Sequence, residues 1–380
     1  MINTTDHEPL CPKCESSAKK ITLSHQAFCP SCFHRFSDLL KKLSAPHSPR
    51  DYHKLNPRRL AELISAEQYE LAEELCDQNK IKLQQHGFLS YTLEFHRNLE
   101  NFTFLNKENL KLPFALVNAL SVAHPDLKVR DHLATKKSFI YIDDNEYTKF
   151  LTNHHITYGL TDHSEDTTKI EDFRLKIQQI EKQTAFAFQD EFGFLGPELN
   201  RLGQAFNFNV TLALPHLYFD QQIPKLQRAC QEIGFTLSPT HPDKTTPLLY
   251  TIENNSSSCT SLSETLESAI ELSQVINAAE NQAQFNSLEK TSTPYKYFSS
   301  AYWSLGSSPS LSKREYKHSI EDLFCASLFD YTDNIDHDKL SKIFHASLYD
   351  KSTSEIKSEQ NQDTDIAADT FEQLLNTIRT

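Results

Sequence analysis

The chain has 380 residues, 38% of them apolar and 11% aromatic, with a formal net charge of −13. That length and apolar content exclude a disordered chain and fit two or three domains with sizeable cores. No run of about eighteen apolar residues occurs, and "MINTTDHEPLCPKC" lacks the basic and apolar regions of a signal peptide, so a soluble, cytoplasmic protein without a membrane partner is expected.

Charge is uneven. Residues 1–60 hold ten Lys/Arg against five Asp/Glu, leaving 28 against 46 in the rest. The acidic body disfavours nucleic acid as a partner. Only the N-terminal segment, with Lys19, Lys20, Lys41 and Lys42, allows nucleic-acid or general protein contact, and a solvated basic face is the plainer alternative. The seven glycines form neither G-x-x-x-x-G-K-[ST] nor G-x-G-x-x-G, so a backbone-cradled nucleotide site is not expected.

The first element is "CPKCESSAKKITLSHQAFCPSC". Its two C-x-x-C knuckles, Cys11 with Cys14 and Cys29 with Cys32, offer four thiolates to one tetrahedral ion. Two knuckles joined by a short hairpin predict a zinc ribbon over residues 1–45, closed and therefore structural. Disulfides or free thiols are the alternative, the former disfavoured by a reducing cytosol, and His7, His25 and His34 are candidate replacements for a sulfur. Cys230 and Cys325 lie in apolar-periodic stretches and read as small buried hydrophobes; Cys76 and Cys259 are likewise isolated and assigned no chemistry.

Residues 46–84 read as a linker and a helical hairpin. "RRLAELISAEQYELAEELCDQNKIKL" puts Leu60, Leu63, Ile64, Leu71, Ala72 and Leu75 on one stripe, with Pro57 near its start. The hairpin is too short to fold alone, so Leu60, Leu63, Ile64, Tyr69, Leu71 and Leu75 are expected to meet a partner surface. Through Leu60, Ile64, Glu67, Tyr69, Glu70, Ala72 and Asp77 it resembles the UVR motif of the protein arginine kinase activators, whose zinc modules precede that motif. Glu73 and Cys76 depart from the motif, and one zinc module stands where the activators usually have two.

Farther along, "SFIYID", "FNFNVTLAL" and "LLYTIE" read as strands, the second alternating Phe206, Phe208, Val210, Leu212 and Leu214. "SLSETLESAIELSQVINAAE" reads as an amphipathic helix with Leu262, Leu266, Ile270 and Val275 or Ile276 on one side. Strands mixed with long helices and no regular βαβ repeat predict an α+β fold. Residues 291–350 read as a helical C-terminal domain. Residues 351–380 read as a polar tail, either frayed or forming a partner-docking helix with Ile366, Phe371, Leu374 and Ile378. His154 and His155 have no third ligand near them in sequence and read as packed or solvated, and no Ser-His-Asp or H-E-x-x-H arrangement is evident.

Residues 85–290 resemble the protein arginine kinases. The block "AFQDEFGFLGPELNRLGQAFNFNVTLALPHL" follows their pattern without a gap, agreeing at Ala187, Phe188, Glu191 or its neighbour, Gly193, Leu195, Gly203, Val210, Leu214, Pro215 and Leu217. The resemblance implies an antiparallel sheet with flanking helices and a helical C-terminal domain. It also implies a triphosphate clamped by arginines, whose planar forks match phosphate oxygens. At those positions the chain has Thr92, Glu94, Lys149, Asn207 and Thr236. His132 is retained, as are Arg97 and Asn98. Asp144 stands for the catalytic carboxylate and Glu198 for the reactive cysteine.

A hydrogen bond to a charged group is worth about 1.5–3 kcal/mol. Losing four such arginines therefore removes at least about 6 kcal/mol, roughly four decades of affinity. The resemblances imply a non-catalytic regulator or scaffold, a pseudokinase that binds zinc and has an arginine kinase or a Clp-type ATPase as partner. A divergent ATP-dependent arginine phosphotransferase is the alternative.

Overall fold

The computed structural model of the chain describes residues 9–44, 87–105, 114–127, 129, 133, 138–163, 168–255, 261–286, 293–307, 310–311, 313–329, 331, 340 and 366–367. His132, Cys76, Cys259 and the whole hairpin with Leu60, Leu63, Ile64, Tyr69, Leu71 and Leu75 lie outside the described residues. The chain divides into two compact units, the first formed by residues 1–52, 91–209 and 254–266 and the second by 53–90, 210–253 and 267–380.

The expected α+β character is present. One seven-stranded sheet is ordered β2-β3-β4-β1-β7-β9-β8, from β1 (Phe88–Arg97), β2 (Phe139–Asp143), β3 (Glu146–Phe150), β4 (Ile156–Asp162), β7 (Phe206–Ala213), β8 (Phe235–Pro239) and β9 (Leu249–Asn254). The pairs β1 with β4, β4 with β3 and β3 with β2 are antiparallel. The first unit also holds α1 (Ala18–Ser24), α2 (Pro30–Arg35), α3 (Ser37–Ser44), α4 (Phe114–Ala123) and α5 (Thr168–Gln183), with the two-residue strands β5 (Phe188–Gln189) and β6 (Gly193–Phe194).

From Tyr91 onward β1 is buried on alternate residues. Tyr91, Leu93 and Phe95 are buried on one face. Thr92, Glu94 and His96 share the other by the two-residue period of a strand, and this is the face that carries the site below.

The N-terminal module departs from the expected ribbon. The stretch between its knuckles forms the helix α1, begun by Ser17, whose Oγ accepts from the Lys20 N–H at 3.2 Å, and ended by His25 at φ +53°. That pairing of a serine N-cap with a left-handed C-cap favours a helical turn over a hairpin of strands. The module has no separate core: Cys11, Ile21, Cys29, Cys32, Phe33, Phe36 and Leu40 are buried together with Phe104, Ala187, Phe192, Leu195, Leu199 and Leu202.

In the second unit α6 (Pro215–Phe219), α7 (Ile223–Glu232), α9 (Thr293–Ser307) and α10 (Lys313–Leu328) lie with β8, the second half of β7 and most of β9. Leu89, Ala213, Leu248, Leu249, Phe298, Ile320, Leu323 and Phe324 pack there as one core, which also contains Cys325. Cys230 and Cys325 are free, buried thiols, as expected.

The long helix α8 (Leu262–Asn286) buries Leu262, Thr265, Ala269, Leu272 and Ile276, a stripe displaced from the expected Leu266 and Ile270, which are half-buried. The two tail residues described, Ile366–Ala367, form β11, which pairs with β10 (Ser310–Leu311).

Candidate functional site

On the polar face of β1 the residues standing where the resemblance expects arginines are joined to neighbours. Glu94 Oε1 accepts from Lys149 Nζ at 2.7 Å and from the Tyr147 hydroxyl at 2.6 Å. Tyr147 and Lys149 are on β3, and β4 runs between β3 and β1. Glu94 and Tyr147 are both in register with Gly159. A Cβ at Gly159 would lie 2.0 Å from the tyrosine ring, so the missing side chain is what lets Tyr147 cross over β4 to the carboxylate.

Burial alone would push the Glu94 carboxyl up, but the Lys149 charge and the hydrogen bonds from Lys149 and Tyr147 outweigh it and hold the group below its ordinary value. Lys149 also lies 4.8 Å from the centre of the Tyr147 ring.

Thr92 shares a hydrogen bond with Thr161 at 3.1 Å. His96 Nδ1 meets the Thr157 hydroxyl at 3.2 Å, and its ring stacks on His154 at 4.4 Å. Burial, helped by the charges of Arg201, Arg97 and Lys149, lowers the His96 pKa to about 3. Burial likewise carries His154 well below its ordinary value and His155 to about 4. Both rings are buried, so of the packed and solvated alternatives for this pair the packed one holds. His155 has two defined partners, accepting the Leu99 N–H at Nδ1 (2.9 Å) and donating from Nε2 to Thr103 O (3.0 Å).

Two further expected positions also have partners. Asn207, on β7, accepts from Arg201 at 2.6 Å, and Arg201 Nε lies 3.7 Å from Glu198. Glu198 begins a single 3₁₀ turn, Leu199–Arg201. Asp144 is exposed in the turn between β2 and β3 with φ +50°, and is not among the partners found for Glu94. Thr236 is half-buried on β8 in the second unit.

The retained Arg97 is an internal strut. Its Nε donates to Glu181 at 2.8 Å, its Nη1 to His96 O at 2.8 Å and Gln204 O at 3.1 Å, and its guanidinium lies over Phe194 at 3.7 Å. Asn98 is equally committed, donating to Leu195 O at 3.1 Å and accepting the His155 N–H at 3.1 Å. Arg201 and Glu181 were not singled out from the sequence. Nothing local marks them, because Glu181 is 84 residues from its partner.

The second candidate site is the four-cysteine cluster, whose sulfurs all lie within 4.8 Å of one another. Cys11 and Cys29 are 3.5 Å apart, Cys14 and Cys32 3.4 Å, and Cys29 and Cys32 3.7 Å. Tetrahedral coordination with metal–sulfur bonds of about 2.3 Å sets sulfurs about 3.8 Å apart. The four side chains therefore fit a single metal ion. His25 and His34, expected as candidate substitutes, are not members of the cluster, and His7 lies outside the described residues.

Residues 62–283 match the ATP:guanido phosphotransferase C-terminal catalytic domain. The match begins inside the segment that the sequence suggested as a UVR-like hairpin. Among solved structures, the substrate-free duplicated taurocyamine kinase from Schistosoma mansoni aligns with 73% of this chain and 44% of its own at 16% identity and a TM-score of 0.46. Lombricine kinase aligns with 68% of this chain and 80% of its own at 11% identity and a TM-score of 0.45. This chain thus spans less than half of the duplicated kinase. A comparison with curated proteins gives no match. The family match covers more than half of the chain, which belongs to the ATP:guanido phosphotransferase family through its catalytic domain.

Proposed function

We propose that this chain is a non-catalytic member of its family, a pseudokinase that acts by binding, with zinc in its four-cysteine centre. The Glu94–Lys149 pair carries this proposal. A triphosphate needs converging, uncommitted cations, and the lysine at one of the expected arginine positions is neutralised by the glutamate at another. Asn207 is held by Arg201, and Arg97 and Asn98 serve the interior. Among the described residues at the expected arginine positions no arginine stands to hold a phosphoryl group in line for transfer, which leaves a carboxylate such as Asp144 without a positioned substrate to serve.

The partner is a protein arginine kinase or a Clp-type ATPase, a proposal that rests on the resemblance of residues 57–84 to the UVR motif. Purified chain incubated with MgATP and an arginine-rich protein should yield no phosphoarginine by mass spectrometry. Phosphoarginine formed by the wild type and lost in Lys149→Met would establish a divergent phosphotransferase instead. Co-purification from native cytosol should recover the partner, and the double substitution Leu63→Asp with Leu71→Asp should abolish its capture.

A further inference from the structure

We infer that metal in the four-cysteine centre controls the order of residues 187–203, making the N-terminal module a metal-dependent clamp on the segment that ends beside Asn207. The inference rests on the metal-binding reading of the cluster and goes beyond it. Residues 187–203 contain little structure of their own: β5, β6 and one 3₁₀ turn. Gly193 has φ +72°, and a Cβ there would lie 2.4 Å from Gly203 O, so Gly193 within the segment meets Gly203 at its end backbone to backbone.

The Cys module supplies much of what covers this segment. The Ala27 N–H donates to Pro197 O at 3.0 Å, and Gln26 forms a β-bridge with Glu198. Phe33 packs edge-on to Phe192 at 5.1 Å and to Phe104 at 6.4 Å. The Lys41 ammonium and the Ser37 hydroxyl both meet the Glu191 carboxylate.

The cluster is continuous with these contacts. Cys29 is the residue after Phe28, whose carbonyl accepts the Phe104 N–H at 2.9 Å, and Cys32 precedes Phe33. A metal ion bonded to all four sulfurs ties the Cys11–Cys14 knuckle to the Cys29–Cys32 knuckle, and its release removes that tie. The knuckles then separate, Phe33 withdraws from Phe192, and residues 187–203 lose one wall of their core. Arg201 sits at the end of that segment, so its bond to Asn207 loosens in turn. Metal occupancy is thereby transmitted to the polar groups on β7.

Hydrogen exchange of the full chain tests this with and without a thiol-directed metal-releasing mercurial, which is then removed by excess thiol before readdition of Zn²⁺. Metal content is measured on every sample. Metal release should raise exchange at least about tenfold in peptides covering 187–203 and leave peptides of β4 and α7 unchanged, and Zn²⁺ should restore protection. Phe192→Ala should keep its metal yet exchange rapidly at 187–203 in both states.

Metal that binds stoichiometrically while its release leaves 187–203 protected would overturn the clamp and leave the metal site standing. Absence of bound metal would overturn both. A rise spread equally over β4 and α7 would show global unfolding and contradict a local clamp.

Discussion

Lys149 Nζ lies 2.7 Å from Glu94 Oε1. The two residues stand on different strands, at positions where the family resemblance expects two arginines. Together they form a neutral pair that a third residue, Tyr147, completes.

Replacing Lys149 by Met should destabilise the chain by about 2–4 kcal/mol at pH 7, because a largely buried carboxylate is left without its cation. The sign with pH follows from Glu94. Its folded-state pKa is held below the ordinary value, so its contribution to stability is full above that value and is lost as pH falls through the folded pKa. In the variant the Lys149 charge and hydrogen bond no longer oppose burial, and the pKa rises. The gap between wild type and variant in urea unfolding should therefore narrow from pH 7 toward pH 4, and a constant gap would contradict the pairing.

Gly159→Ala should be harmful although it adds one methyl group. The new Cβ would fall on the Tyr147 ring, 2.0 Å away. The ring must leave β4 and give up its hydrogen bond to Glu94, a loss of about 1.5–3 kcal/mol for a bond to a charged group. Tyr147→Phe should lose a similar amount, and combining the two substitutions should cost less than their sum, as a thermal-denaturation cycle can measure.

The pairing was only partly legible in the sequence. The alternation in "FNFNVTLAL" identified β7, and C-x-x-C spacing identified the four cysteines that cluster, because both signals are local. Thr92, Glu94 and Lys149 could be placed by resemblance, but pairing them requires the register of β1, β4 and β3. The α8 stripe was misplaced for a related reason. Its buried positions include Glu280, whose carboxylate accepts the N–H groups of His216 and Leu217 at 2.8 and 2.9 Å and meets His216 Nδ1 at 2.6 Å. Hydropathy cannot anticipate a glutamate buried by tertiary hydrogen bonds.

The buried histidines should make the fold acid-sensitive. Burial lowers the pKa to about 3 in His96 and to about 4 in both His124 and His155. Below pH 6.5 the unfolded chain takes up protons that the folded chain refuses, so stability should fall as pH drops from about 6.5 toward 4, each such histidine contributing about 1.4 kcal/mol per pH unit. Urea unfolding between pH 7 and 5 checks this, and stability independent of pH over that range would contradict it.

Lys244→Met should cost about 3–5 kcal/mol. Lys244 is buried, 2.6 Å from Asp322 and 3.1 Å from Glu321, both on α10. Removing it leaves two adjacent carboxylates in the core of the second unit. Chemical denaturation monitored by circular dichroism provides the measurement, and a loss below about 1 kcal/mol would show that the pair is solvated.

The proposed loss of nucleotide binding is tested most directly by titration calorimetry of the full chain with MgATP and MgADP. No binding heat is predicted up to millimolar nucleotide, because the lysine at the expected clamp is already neutralised by Glu94. Submillimolar affinity that disappears in Lys149→Met would contradict the account.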